Sequence, residues 1–315
     1  MKPVTQVDVQ QFKKVFILFN RYSGKQLFAS TPARINEIAR LLRENLQARV
    51  ELLDVRYFEQ MPELARRVAE EQCDWVIIAG GDGTIRAFVE DMLRLDYRPY
   101  ISVFPAGTVN LIAKEMTLRR DPVRWVRRAL HGNVYDFYTA WANGKLFLTV
   151  ASVGFDSLVV DNVGFMEKRL LNKFAYILTG TQTLRKEVLF NNWKYEFEAR
   201  FDDEEEWHPA SSLIVGKSRY YAGRYNLFPE AAITSPDLHV ALFPGRSRSD
   251  LLKYASLITL EGLGLDKGIL RRAARKVEIR CLTGDGEFPV ELDGDAVTST
   301  PLKIVMGENP MKLIP

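Results

Sequence analysis

A chain of 315 residues is longer than one ordinary hydrophobic core organises, which points to two domains. Hydrophobic residues at 47% and charged residues at 26% exclude a disordered chain, and a net charge of +3 is too small to argue for nucleic acid. There is no apolar run of about 18 residues to cross a membrane, and two cysteines far apart in apolar stretches, Cys73 and Cys281, give no disulfide framework and fit a reducing compartment.

The polar N-terminus lacks the apolar stretch of a signal peptide, so a cytoplasmic location is expected. Lys13–Asn20 is a short apolar run that reads as a buried strand. Thr31-Pro32 then looks like a helix start, with Ile35, Ile38, Leu42 and Leu46 at helical spacing behind it. Glu51–Val55 is a second strand, and Pro62–Glu71 a second helix. Trp75–Ala79 is a third apolar strand that runs into Gly80-Gly81-Asp82-Gly83-Thr84, and Ile85–Leu93 reads as the helix leaving that turn. Tyr100–Phe104 is a fourth strand, ending at Pro105-Ala106-Gly107-Thr108. Strand and helix in alternation imply an α/β domain over 1–132, with a parallel sheet covered by helices on both faces.

Beyond His131-Gly132 the pattern changes. Tyr135–Trp141 and Lys145–Ser152 are strand-like, and Asn143-Gly144 between them is a hairpin signal. Further strands are expected at Trp193–Phe201, Ser212–Val215, Leu238–Phe243, Lys276–Arg280, Val290–Leu292 and Leu302–Met306. Helices are expected at Arg169–Leu184 and Asp250–Leu263, and the acidic run Asp202–Glu206 reads as a solvated hairpin tip. Residues 133–315 thus read as a mostly antiparallel second domain, whose C-terminal strands can return to the first.

Three glycine-containing loops follow strands: Asn20-Arg21-Tyr22-Ser23-Gly24-Lys25, Gly80–Thr84, and Pro105–Asn110. In an open parallel sheet ligands bind beyond the carboxyl ends of the strands. Glycines there let backbone N–H groups approach phosphate oxygens, and the following helix N-termini add their positive dipole ends. Asp82 between two glycines suits a site that orients Mg²⁺. Neither GxxxxGK[ST] nor GxGxxG occurs, so the P-loop and dinucleotide-binding patterns are both absent. The residues by themselves carry the reading as far as a phosphate-binding α/β domain. His131, His208 and His239 have no metal-ligand spacing.

The ordered set Ala79–Thr84, Pro105–Asn110, Asp136, Ser152–Asp156, Tyr221-Ala222-Gly223, Pro229-Glu230-Ala231 and Glu291-Leu292-Asp293-Gly294-Asp295 resembles the catalytic domain of the diacylglycerol kinase family and its bacterial lipid-kinase relatives, over nearly the whole chain. Asn20–Gly24 resembles the family's first loop, with Arg21 in place of its proline. The resemblance implies a two-domain lipid kinase with ATP as phosphoryl donor and Mg²⁺ as cofactor. Its nucleotide site would comprise Asn20, Ser23, Gly24, Gly80, Gly81, Asp82, Gly83, Thr84, Gly107, Thr108 and Asn110. Asp82 and Asp237 would serve the metal, and Asp295 or Asp82 would be the general base. Lys168, Arg169 and Lys173 resemble basic residues that reach the triphosphate. Leu111 stands where the family has an acid, and Asp295 is one methylene shorter than the family's carboxylate. A literal Asp285-Gly286-Glu287 just upstream reads as a turn between strands.

The implied acceptor is a hydroxyl on a diacylglycerol-like lipid, met by peripheral contact with a membrane surface; a homodimer stays open. Arg119, Arg120, Arg124, Trp125, Arg127 and Arg128 form one basic stretch that could face lipid, and Arg271, Arg272, Arg275 and Lys276 a second. Two other readings compete: a kinase of a soluble metabolite in the NAD-kinase manner, and a nucleotide- or lipid-binding regulatory protein with weakened catalysis.

Overall fold

The computed structural model describes residues 2–21, 31–154, 195–223, 225–245 and 247–315. The expected helix at 169–184, the first-loop residues Ser23, Gly24 and Lys25, and Lys168, Arg169 and Lys173 lie outside the described residues. The chain divides into a first unit of residues 1–138 and 309–315 and a second unit of residues 139–308.

The first unit is built on a seven-stranded sheet. Its strands are β1 (Thr5–Gln6), β2 (Lys14–Asn20), β3 (Arg49–Val55), β4 (Trp75–Gly80), β5 (Tyr100–Pro105), β6 (Asn133–Phe137) and β21 (Met311–Leu313), in the spatial order β1-β6-β21-β5-β4-β2-β3. Strands β3, β2, β4, β5 and β21 are parallel, whereas β6 and β1 are antiparallel additions at one end. Helices α1 (Thr31–Asn45), α2 (Met61–Glu70), α3 (Asp82–Arg94), α4 (Leu111–Glu115) and α5 (Pro122–Leu130) are interspersed among them. The apolar runs behave as both-face-buried strands should: every residue of β4 is buried, and all but the first of β2.

The first unit extends past residue 132 because β6 hydrogen-bonds with β21 and β1 rather than with the later strands. The strand-like run Tyr135–Trp141 is therefore two strands. Phe137 ends β6 in the first sheet, and β7 (Ala140–Ala142) begins a different one. Residues 309–315 return to the first unit through β21, which sits between β5 and β6. Buried Ser102 holds that return: its hydroxyl donates to the Ile314 carbonyl and accepts from Trp75 Nε1 at 2.8 Å. Lys312 on β21 pairs with Asp136 on β6.

The second unit contains two six-stranded antiparallel sheets that share one core. The first runs β11 (His208–Ala210), β10 (Phe197–Phe201), β17 (Lys276–Cys281), β20 (Leu302–Met306), β7, β8 (Lys145–Phe147). The second runs β16 (Leu270–Ala274), β15 (Leu238–Phe243), β12 (Ser212–Gly216), β9 (Val150–Val153), β18 (Pro289–Leu292), β19 (Asp295–Ser299). Phe147, Phe197, Phe201, Val277, Ile279 and Ile304 from one sheet meet Val153, Leu213, Val215, Leu238, Val240 and Leu292 from the other. The opposite face of the second sheet is covered by Tyr221, Tyr225, Leu227 and Phe228 and by Tyr254 and Ile258 of helix α6 (Arg248–Thr259). The short pair β13 (Tyr220–Tyr221) and β14 (Tyr225–Asn226) belongs to this cover.

The Asn143-Gly144 hairpin forms as expected: both residues have positive φ, 48° and 75°, and Ala142 pairs with Lys145. The run Lys145–Ser152 is instead broken at Leu148-Thr149, where β8 ends and β9 begins in the other sheet. Cys73 and Cys281 are free and buried, and burial pushes the Cys73 thiol up to about 11.

Replacing Ser102 with alanine leaves the buried Trp75 N–H and the Ile314 carbonyl without their partner. Urea unfolding of Ser102→Ala should show a loss of roughly 1–3 kcal/mol, and wild-type stability would remove this account of the C-terminal return.

Candidate functional site

Two loops of the first unit converge on one point. The Gly80–Thr84 motif is a strand-to-helix switch rather than a free loop: Gly80 ends β4, extended Gly81 caps α3, and Asp82-Gly83-Thr84 form its first turn. The amides of Thr84 and Ile85 donate to the Gly81 carbonyl at 2.9 and 3.2 Å, which starts the helix three residues earlier than its apolar periodicity implies. Buried Asn20, at the end of β2, donates from Nδ2 to Thr84 Oγ1 at 3.0 Å and so ties the first loop's root to the second motif.

The third loop folds against the second. Asn110 adopts a left-handed conformation, φ 53° and ψ 56°. Its side chain clasps Gly107 both ways: the Gly107 amide donates to Oδ1 at 2.9 Å, and Nδ2 donates to the Gly107 carbonyl at 2.7 Å. A methyl group on Gly107 would lie 2.4 Å from the Gly81 Cα, so the two backbones touch only because neither residue has a side chain. Asp82 completes the junction. Its Oδ2 accepts from Leu111 N at 2.9 Å and its Oδ1 from Ile112 N at 3.2 Å, capping α4. The Asp82 side chain thus holds the third loop onto the second.

Gly83 differs. A methyl group added there would meet nothing within 4 Å, although Gly83 stands in the first turn of a helix. Packing within the described residues does not require glycine here. Thr108 at the tip of the third loop is exposed.

Arg120 lies in the basic stretch that could face lipid, but its guanidinium turns inward and donates from Nη2 to the Gly107 carbonyl at 2.7 Å. Burial, and then the neighbouring Arg34 guanidinium, lower its pKa from the ordinary arginine value. A half-buried cation with a second cation beside it, at the meeting point of two glycine turns, suits an anionic ligand. Nothing in the sequence separates Arg120 from its neighbours, so this placement could not be read there. Trp125 is likewise corrected: it is buried and its Nε1 donates to the Val103 carbonyl at 2.9 Å. Arg119, Arg124 and Arg127 are exposed.

In the second unit, Glu291–Asp295 forms the tight β18–β19 hairpin, with Asp293 and Gly294 at positive φ and Leu292 opposite Asp295. The Asp293 carboxylate accepts four hydrogen bonds, from the amides of Leu148, Thr149 and Val150 at 2.8, 2.8 and 3.2 Å and from Thr149 Oγ1 at 2.6 Å. It fixes the β8–β9 switch. Buried Glu291 accepts from Ser152 Oγ at 2.7 Å and from the Gly294 amide. Asp295, the first residue of β19, is half-exposed. Asp285-Gly286-Glu287 is a turn between β17 and β18, in which Asp285 Oδ1 accepts from Glu287 N at 3.0 Å.

Asp237 lies just before β15, accepts from Ser235 Oγ at 2.9 Å, and has Arg275 Nε at 3.9 Å. Among the described residues no group of three or more His, Cys, Asp or Glu side chains is placed to hold a metal ion. The second basic stretch is largely paired: Arg272 with Glu204, Arg275 with Asp237, and Lys276 with Glu278 at 3.0 Å.

Residues 14–140 match the model of the diacylglycerol kinase catalytic domain. Those residues belong to that family. The match takes in β2 through β6 and so both glycine turns and their clasp. Over 294 residues the chain is 24% identical to a Bacillus subtilis (strain 168) protein named diacylglycerol kinase, covering 90% of this chain and 93% of that one. It is also 24% identical over 277 residues to a Pseudomonas fluorescens (strain Pf0-1) protein named probable lipid kinase YegS-like, covering 85% and 86%. A solved diacylglycerol kinase from Bacillus anthracis str. Sterne has the same fold, with a TM-score of 0.75 at 19% identity over 96% of this chain and 97% of that one.

Two glycines of the site should respond oppositely. Gly83→Ala should raise stability by about 0.5–1 kcal/mol, the ordinary gain of alanine over glycine in a helix, while weakening Mg-ATP binding measured by calorimetry. Gly107→Ala should instead destabilise by roughly 1–3 kcal/mol from the overlap with Gly81. Unchanged ATP affinity in Gly83→Ala would remove Gly83 from the ligand site.

Proposed function

We propose that this chain transfers the γ-phosphoryl group of ATP to a hydroxyl of a diacylglycerol-like lipid. The observation that carries the reading is the junction of Gly81 and Gly107, tied by Asp82, at the start of a 13-residue helix. Such a place offers the positive dipole end of a helix to a polyphosphate. The family match and the names of the relatives supply the reaction class and the lipid acceptor.

Phosphoryl transfer leaves the protein mostly positioning and charge stabilisation to perform. In this reading Asn20, Gly80–Thr84, Gly107, Thr108 and Asn110 cradle the nucleotide, with Arg120 and Arg34 as cations beside the third loop. Asp82, a carboxylate in the first turn of α3 beside the junction of the two glycine turns, fits a role in holding Mg²⁺. Asp237 is the second candidate. Bound on the triphosphate, Mg²⁺ would supply neutralisation of the phosphate charge. Asp295 is the preferred base on the resemblance of Glu291–Asp295 to the family's motif; Glu291 on β18 holds Ser152, and Asp293 in the turn holds backbone amides. Asp295 accepts the proton of the lipid hydroxyl as that oxygen attacks the γ-phosphorus, and ADP leaves.

A second reading, Mg-ATP binding with little turnover, draws on two positions. Leu111 buries an apolar side chain where the family has an acid, and Asp295 reaches one methylene less far than glutamate.

Turnover on a lipid panel separates these roles. Asp295→Asn should lower the maximal rate by ~10²–10⁴-fold with ATP affinity little changed, the usual contribution of a general base. Glu287→Gln should be silent. Asp293→Asn should lower stability by about 1–3 kcal/mol, because an amide NH₂ must face one of the backbone donors. If Glu287→Gln abolishes turnover and Asp295→Asn does not, the base is misassigned; tight Mg-ATP binding by wild-type protein without turnover on any lipid selects the second reading.

A further inference from the structure

The end of α6 and the chain that follows carry an unusual distribution of leucines. Leu263, in the 3-10 turn Leu263–Leu265, and Ile269 are buried against the outer face of the second sheet and anchor the segment. Leu260 and Leu265 on either side of that anchor are 79% and 84% exposed, and Leu270 at the start of β16 is 38% exposed. Monomeric proteins expose single leucines routinely, but several large ones gathered on one loop mark a contact surface.

The charges around them lean positive: beside the Lys253–Asp266 pair stand two exposed cations, Lys267 and Arg271, and one exposed carboxylate, Glu261. Asp266 is engaged by Lys253 Nζ and by the Gly268 amide, both at 2.9 Å, and Lys253 holds its carboxyl below the usual range. Glu261 accepts from the Asn226 amide at 2.9 Å. Lys267 and Arg271 are exposed, and among the described residues no carboxylate pairs with either. The Arg271 guanidinium lies against Gly264, 3.1 Å from where a methyl group on that residue would be, next to Leu265. Leu265 in turn packs back over Gly262, 3.3 Å from the corresponding point there. Exposed leucines and unneutralised cations are thus contiguous on one short segment.

We propose that Leu260, Leu265, Lys267 and Arg271 form a docking surface for an anionic membrane. The leucines enter the headgroup region while the two cations stay at the level of the lipid phosphates. That pairing of apolar insertion and electrostatic attraction is what holds a protein on a bilayer without crossing it. Among the described residues no helix is long and apolar enough to cross one. The inference rests on the lipid-kinase reading only for its choice of a membrane over another partner.

The test is sedimentation of the full chain with vesicles of phosphatidylcholine alone or enriched in phosphatidylglycerol. Leu260→Ser with Leu265→Ser should weaken binding to both vesicles, by about ten-fold per leucine. Lys267→Gln with Arg271→Gln should weaken binding only to the anionic vesicles, by roughly five-fold per cation at low salt, and should flatten the salt dependence. Turnover of substrate dispersed in detergent should stay at the wild-type level in both double variants. Wild-type vesicle binding by both would overturn the proposal. So would a leucine variant that loses a dimer, seen by light scattering, since the surface would then join two copies of the chain. If wild-type protein turns over no dispersed lipid while vesicle binding still depends on these four residues, the docking surface stands and the kinase reading falls.

Discussion

Gly81 and Gly107 meet backbone to backbone, and the geometry of the first unit's ligand edge follows from that contact. Any side chain on Gly107 would overlap Gly81, so the third loop can reach the second only with glycine there. Once they touch, Asn110 has the Gly107 amide and carbonyl to bind, Asp82 has the first amides of α4, and Arg120 has the Gly107 carbonyl. Each of these polar groups satisfies a backbone group that the close approach would otherwise strand away from water. The result is a rigid rim at the carboxyl ends of β4 and β5, where an open parallel sheet offers its ligand site.

The second unit uses the same economy in an antiparallel setting. Two sheets share a core, so a chain passing between them must break its strand and leave amides unpaired. Asp293 collects three such amides and a hydroxyl at the β8–β9 switch, and Glu291 two residues earlier holds Ser152 on β9. A single hairpin therefore carries carboxylates with different duties. Their neighbour Asp295 stands at the head of β19, on a hairpin that the other two carboxylates tie down.

Much of this was legible in the sequence because it depends on local pattern. The apolar runs of β2, β4 and β5 are too continuous for anything but strands buried on both faces, and Asn143-Gly144 can hardly be other than a two-residue hairpin turn. What failed to show is what depends on partners distant in the chain. Tyr135–Trp141 reads as one strand because alternation says nothing about which sheet each half joins. Arg120 and Trp125 read as an exposed basic stretch because composition does not reveal that one faces the Gly107 carbonyl and the other the β5 backbone. The segment containing Arg271 and Arg272 reads as a charged surface, and it is the edge strand β16. Asp82 reads as a metal-site residue, while its bonds to Leu111 and Ile112 need the third loop in place to be seen.

The position of β21 bears on the order in which the molecule can be completed. Residues 311–313 lie between β5 and β6, not at an edge, yet they are translated after the whole of the second unit. Until they emerge from the ribosome, β5 and β6 face one another across a missing strand, and Trp75 and Ser102 wait for the Ile314 carbonyl. The second unit has all its strands available earlier. During synthesis the unit encoded first is thus the last to finish its sheet, so a released chain truncated after residue 310 should show protease resistance in the second unit while the first remains open to cleavage.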